Sequence, residues 1–179
     1  MDELIDILNI DGISTGKSCL KSIAHQKGYY HATVHVWFYT KDHQLLLQKR
    51  GANKKTYPNR WDVSVAGHVH AGESIEAAAQ REVLEEIGLH VEEEGLRKIA
   101  IRKGERSHPN GIQDNEFYHV FLCELTKSIE ELSMQEEEVD DLQLFDLSLF
   151  KDSSSIPMLV PDTEEYYQFI LSTIKAILD

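Results

Sequence analysis

The sequence predicts an α/β protein of the α+β kind, a mixed β-sheet with helices packed on its faces. Three observations predict it. Residues 31–40 alternate apolar and polar with the period of a strand, residues 74–87 carry a helical apolar stripe, and a second amphipathic helix closes the chain after several further strands. In chain order, residues 3–9 read as a short strand ending at an Asp11-Gly12 turn, and residues 1–28 as an N-terminal strand extension. In the strand at 31–40, Val34, Val36 and Phe38 face one way and His35 and Trp37 the other. Residues 44–49, with Leu45-Leu46-Leu47, form its neighbour. Arg50 to Arg60 is a basic, turn-rich loop, and Trp61, Val63 and Val65 alternate into another strand. In the helix at 74–87, Ile75, Ala79, Val83 and Ile87 recur every fourth position, Ala77 and Leu84 widen the stripe, and Gly88 stands at the C-cap. Strands follow at 96–102 and 115–125, separated by a Pro109-Asn110-Gly111 turn, and another at 142–147. The last helix spans 162–178, with Asp162 as N-cap, Glu165 at the capping-box position, and Phe169, Ile170, Ile174 and Ile177 on its apolar side. No repeat or low-complexity linker interrupts this series, so residues 1–179 read as a single domain.

Composition narrows the function classes. A chain of 179 residues is long enough to bury a substantial core. Its formal net charge of -13 repels phosphate backbones, which argues against nucleic acid as the main partner. A small phosphorylated substrate remains compatible with that charge where metal ions mask it locally. Cys19 and Cys123 form neither a metal-ligand pair nor a disulfide framework, so a reduced, cytoplasmic setting is expected. The N-terminus is acidic where a secretory signal would be basic. No apolar run approaches the ~20 residues that a membrane span needs, so no membrane partner is expected. The segment Glu130–Asp146 has eight acidic residues and no basic one, the pattern of a solvated loop or helix face. The sequence leaves the oligomeric state open, a homodimer included.

The helix at 74–87 carries the chemistry. Glu82, Glu85 and Glu86 lie at i, i+3 and i+4, neighbours on one helix surface about 5–6 Å apart. Carboxylates so close repel one another, and a divalent cation such as Mg²⁺ or Mn²⁺ both removes that repulsion and gains oxygen ligands. Arg81, four residues before Glu85, can pair with it and fix a carboxylate by a bidentate contact. An exposed acidic face with one ion pair would explain these residues alone. The wider spacing does not fit that reading: Gly67, five residues, Glu73, seven residues, Arg81-Glu82-Val83, one residue, Glu85-Glu86, one residue, Gly88-Leu89.

This spacing is similar to the Nudix signature at every defined position, over residues 67–89. At a background of about 6–7% per fixed residue, a chance match is on the order of one in a billion per window. The resemblance implies the Nudix fold and a Mg²⁺- or Mn²⁺-dependent hydrolase that cleaves the phosphoanhydride of a small diphosphate. It implies that Glu82, Glu85 and Glu86 are metal ligands, with Gly67 in the same metal-binding turn and Glu82 a candidate general base. Glu73 and Arg81 become the pair that buttresses the turn. Arg81 is also grouped with Glu82 and Glu116 as catalytic, and Gly88 supports the end of the helix.

Flanking residues resemble one branch of that family, the type 1 isopentenyl-diphosphate isomerases: Arg50, Lys54-Lys55, Pro58, Trp61, Gly67-His68, Gly111-Ile112 and Asp114-Asn115-Glu116. By this likeness Asp114 and Glu116 bind metal, or Glu116 acts as the base of a hydrolase, and His31 and His68 stand where the isomerases have metal-binding histidines. Arg50, Lys54 and His68 become candidates for binding substrate. The isomerases place a catalytic Cys immediately before Gly-His, whereas this chain has Ala66, which has no acid, base or nucleophile to offer. That departure favours hydrolysis over isomerisation. A non-catalytic nucleotide-binding module on the same fold is the third reading, weakened by the complete set of glutamates. Substrate choice is assigned to loops such as 103–114.

Overall fold

A computed structural model describes residues 2–179. Its centre is a mixed sheet. The strands are β1 (Leu4–Leu8), β2 (Ser14–Leu20), β3 (His31–Tyr39), β4 (Gln44–Arg50), β5 (Trp61–Asp62), β6 (Val65–His68), β7 (Arg97–Ser107), β8 (Gln113–Glu124) and β9 (Val139–Asp146). The α-helices are α1 (Lys21–Lys27), α2 (Ile75–Ile87) and α3 (Glu164–Leu178). Seven strands form the main sheet along the path β5-β4-β3-β8-β7, with β6 also on β3 and β9 on β4. β3 and β8 run parallel, from His31 opposite Glu116 to Tyr39 opposite Glu124. β4 holds β3 only at the turn, Tyr39 opposite Leu45, and β6 takes over that edge further back, placing His35 opposite Ala66.

The alternation in β3 works as read. Val34, Val36 and Phe38 pack under α2 with Ala78, Ala79, Val83 and Ile87. Trp37 and Tyr39 face α3 with Tyr166, Tyr167, Ile170 and Ile174. The sheet therefore lies between two helices, each burying one stripe. The expected strand from Trp61 to Val65 is two short strands. The Ser64 hydroxyl accepts from the Phe38 backbone N–H and donates to the Leu46 carbonyl, replacing ladder hydrogen bonds between them.

Several expectations need correction. Residues 1–28 form more than a strand extension: β1 and β2 make a hairpin and α1 follows. β2 is exposed along most of its length, and α1 buries only Ala24, so neither leaves a periodic apolar signal. Glycine 28 closes α1 in the left-handed region. Ala77 and Leu84 are exposed; the buried stripe of α2 widens instead through Ala78, Glu82 and Glu86. The last helix starts at Glu164 with Thr163 as N-cap, accepting from the Tyr166 N–H, while Asp162 pairs with Arg106. Asp loses the cap position because its carboxylate has a charged partner across the cleft. Residues 103–107 continue β7, so the connection to β8 is much shorter than a 103–114 loop. The acidic run folds into β9 after Glu138, against β4. Among the described residues, no helix is long and apolar enough to cross a membrane.

Candidate metal and phosphate site

A cleft of ≈ 600 Å³ opens beside α2 and runs over one face of β3 and β8 towards α3. Gly67, His68, Glu82, Glu85, Glu86, Asp114, Glu116, Arg50 and Lys54 all line it. Sequence reasoning thus brought nine residues to one place from four segments. Glu73 and Arg81 lie behind its wall, and Gly88 is at the far end of α2. Gly88 has φ 66° and donates its N–H to the Leu84 carbonyl, the left-handed cap expected of it.

α2 is aimed by its first turn and its clamp. The Ser74 hydroxyl caps the helix by accepting from the Ala77 N–H. Arg81 holds both oxygens of Glu73 at 2.9 Å and the His68 carbonyl at 2.8 Å. Its remaining nitrogen donates to Glu82 at 2.7 Å and Glu85 at 3.1 Å. One guanidinium therefore ties the β6 turn to the helix and orients two glutamates. Arg81 itself is not among the residues that line the cleft. Gly67 is required by contact rather than by backbone angle: a Cβ there would sit 1.9 Å from the Glu82 carboxyl carbon.

Glu82 and Glu86 are buried, whereas Glu85 is exposed. Glu86 accepts from the Gln48 amide at 2.9 Å and from the Ala66 N–H at 3.2 Å. Burial pushes its carboxyl up to about 8, with Lys54 pulling the other way and Glu82 adding to the rise. Burial also raises Glu82, against the pull of Arg81. Lys54 pairs with Glu138, and burial lowers its ammonium against the attraction of Glu86. Arg50 donates to Asp62 at 2.8 Å and to the Thr56 carbonyl, which ties the 51–60 loop beside the cleft.

Across the cleft stands a second set of donors. One ligand atom from each of His25, His31, His68 and Glu116 lies within 4.8 Å of the others. The Nε2 atoms of His25 and His68 are 3.2 Å apart, and Asp114 sits 3.9 Å from His25. His31 is fully buried and its Nδ1 is 2.9 Å from the Tyr29 carbonyl. A carbonyl only accepts, so Nδ1 carries the proton and Nε2 faces the cluster. That buried Nε2 has no hydrogen-bond partner among the described residues, and Glu116 lies 3.5 Å away. Burial opposes ionisation of Glu116, but His31, His68 and His35 hold its carboxyl well below the usual carboxylate range. Burial drives His68 well below its ordinary value. Imidazoles and a carboxylate converging on one point suit a divalent transition metal. On the helix side, three glutamates and a glycine cradle suit a hard cation.

The likeness to the isomerases anticipated His31, His68, Asp114 and Glu116, and missed His25. α1 places His25 here, and that short helix buries a single residue and so carries no apolar period. Asp114 and Glu116 share a face two residues apart, as a strand demands.

Comparison with known proteins agrees with this geometry. A NUDIX domain model matches residues 29–168. Nudix hydrolase 3 of Arabidopsis thaliana is 34% identical over 89% of this chain, which spans 22% of that protein's length. An uncharacterised Nudix hydrolase of Clostridium acetobutylicum is 35% identical over 85% of this chain and 75% of its own. An isopentenyl-diphosphate Delta-isomerase of Photorhabdus laumondii is 33% identical over 71% of this chain and 70% of its own. The crystal structure of a Deinococcus radiodurans protein shares the fold at TM-score 0.68, with 20% identity over 93% of this chain and 98% of that one. The chain belongs to the Nudix family. Its enzyme class is that of the Nudix hydrolases, which act on phosphorus-containing anhydrides.

Proposed function

We propose that this protein hydrolyses the phosphoanhydride of a small diphosphate, a nucleoside diphosphate linked to another group or a similar compound, in a Mg²⁺- or Mn²⁺-dependent reaction. The observation that carries the reading is the pair Glu82 and Glu86, buried side by side against Gly67 and Ala66 at the wall of a polar cleft. Burying two carboxylates together is unfavourable unless a cation offsets it.

Glu82, Glu85 and Glu86, with Gly67, would hold the ion, and Asp114 and Glu116 with the histidines would hold a second. Bound metal neutralises diphosphate oxygens and lowers the pKa of a coordinated water. Glu82 takes the proton of the attacking water, kept in place by its contact with Arg81. Glu116 is the alternative base. Arg50 and Lys54 face the departing phosphate, and His68 contacts the substrate from the β6 side. Glu73, through Arg81, keeps the turn in register with the helix. The chain functions as one Nudix unit, in the cytoplasm, with a small molecule as its partner.

The histidine cluster favours a second reading, isomerisation of a prenyl diphosphate, and Ala66 weighs against it. Cleavage of a panel of diphosphates, with the phosphomonoester products resolved by chromatography, in Mg²⁺, Mn²⁺ or chelator, tests the first reading. Metal-dependent release by the wild type and its loss in Glu82→Gln are expected. Conversion of isopentenyl diphosphate without phosphate release would establish the second instead.

A further inference from the structure

The end of the cleft away from α2 has its own chemistry. β3 presents Thr33, His35 and Trp37 to it in alternate positions, and Tyr166 of α3 covers them. The Trp37 indole N–H donates to the Tyr166 hydroxyl at 3.0 Å. Indole nitrogen only donates, so the tyrosine oxygen is the acceptor there, and its own proton needs a separate acceptor. His35 Nδ1 lies 2.9 Å from that hydroxyl. Tyr166 is buried, and a buried hydroxyl proton without an acceptor is unfavourable. The order of the relay follows: Trp37 to Tyr166 to His35 Nδ1. The imidazole is locked further by stacking on Tyr118, centroids 4.5 Å apart and planes within 11°. Its proton is therefore on Nε2, which finds no acceptor among the described residues while the ring lines the cleft.

His35 stands directly across the ladder from Ala66. The small alanine leaves the space in front of the imidazole open. Thr33, one position nearer the histidine cluster, adds a buried hydroxyl with no hydrogen-bond partner on the same wall. The ion pair of Arg106 and Asp162 borders the same chamber. A hydrocarbon placed here would strip water from these groups and leave them unpaired.

Resting on the reading that the cleft holds a diphosphate, we propose that the Nε2–H of His35 is a specificity-determining donor: it pairs with an oxygen on the substrate's organic part and selects polar, oxygen-bearing groups over prenyl chains. A site built to hydrogen-bond a substrate rejects analogues lacking the partner far more strongly than an apolar pocket rejects a polar one.

Calorimetry with two non-hydrolysable ligands, α,β-methylene-ADP and a methylene-bridged isopentenyl diphosphate, in Mg²⁺, tests this without requiring turnover. The wild type should bind the nucleoside ligand at least about tenfold more tightly. His35→Phe keeps the stacking ring and removes the donor, so that preference should collapse. His35→Gln keeps a donor and should retain most of it, which a purely structural role for His35 would not allow. Equal binding of the two ligands by the wild type, or an unchanged preference in His35→Phe, overturns the inference. Discrimination in binding without cleavage of any diphosphate would leave it standing and remove the hydrolase reading. Diphosphate cleavage with an unchanged preference would do the reverse.

Discussion

The two walls of the cleft bury carboxylates to opposite effect. On α2, Glu82 and Glu86 have each other as neighbours, and burial raises both. On β8, Glu116 is equally enclosed, yet three histidines hold it ionised. Burial disfavours the charged form on both walls; the sign of the neighbouring groups decides the outcome. On the glutamate wall Arg81 and Lys54 offset that rise only in part, whereas on the histidine wall the neighbouring imidazoles outweigh burial.

The largest test of this contrast is Glu82→Gln beside Glu116→Gln. We expect Glu82→Gln to lower metal-dependent kcat by about 10²–10⁴-fold with the melting temperature unchanged. Glu116→Gln should cost clearly less, and the reverse order in diphosphate-cleavage assays would move the general base to β8. Glu73→Gln comes next. It loosens Arg81 and should weaken metal binding by about 10–100-fold, read by calorimetry, while contacting neither metal nor substrate. Smaller is a pH effect. With its carboxyl at about 8, Glu86 must lose a proton to bind metal. Apparent Mg²⁺ affinity should climb about fivefold from pH 7 to 8, about twofold more by pH 9, and then level off, and Glu86→Gln should flatten that slope. Identical slopes in both proteins would assign the proton elsewhere.

His119 supplies the smallest test, because it sits outside both walls. Burial, with Lys98 adding to it, lowers its imidazole to about 4. The unfolded chain takes up a proton near pH 6.5 and the folded chain does not. The contribution is therefore complete above about pH 6.5 and is lost as the pH falls towards 4. His119→Gln should raise the melting temperature at pH 5, relative to pH 7.5, by about 2–4 °C once solvent screening of the partly exposed ring is allowed for. Equal acid sensitivity in mutant and wild type would show that the cluster histidines dominate it.

What the sequence disclosed follows from how each signal arises. α2 was readable because its stripe, cap glycine and glutamate spacing all sit within one local segment. β3 was readable because its two faces meet different helices. His25 was hidden because α1 has a single buried residue and no amphipathic period of its own. Ala77 and Leu84 read as core by hydrophobicity alone. The buried face widens on its other flank instead, through Ala78, Glu82 and Glu86 beside the cleft. The cap at Asp162 went to Thr163 because Arg106, distant in sequence, claims the aspartate.

The hairpin and short helix that precede β3 have a practical consequence for anyone trimming this protein. The family match begins at residue 29, but Lys21 and His25 reach the cleft from before that boundary. A fragment cut to the matched stretch would keep all three glutamates of the helix wall and lose one corner of the imidazole cage. It would carry one candidate metal site intact and the other incomplete.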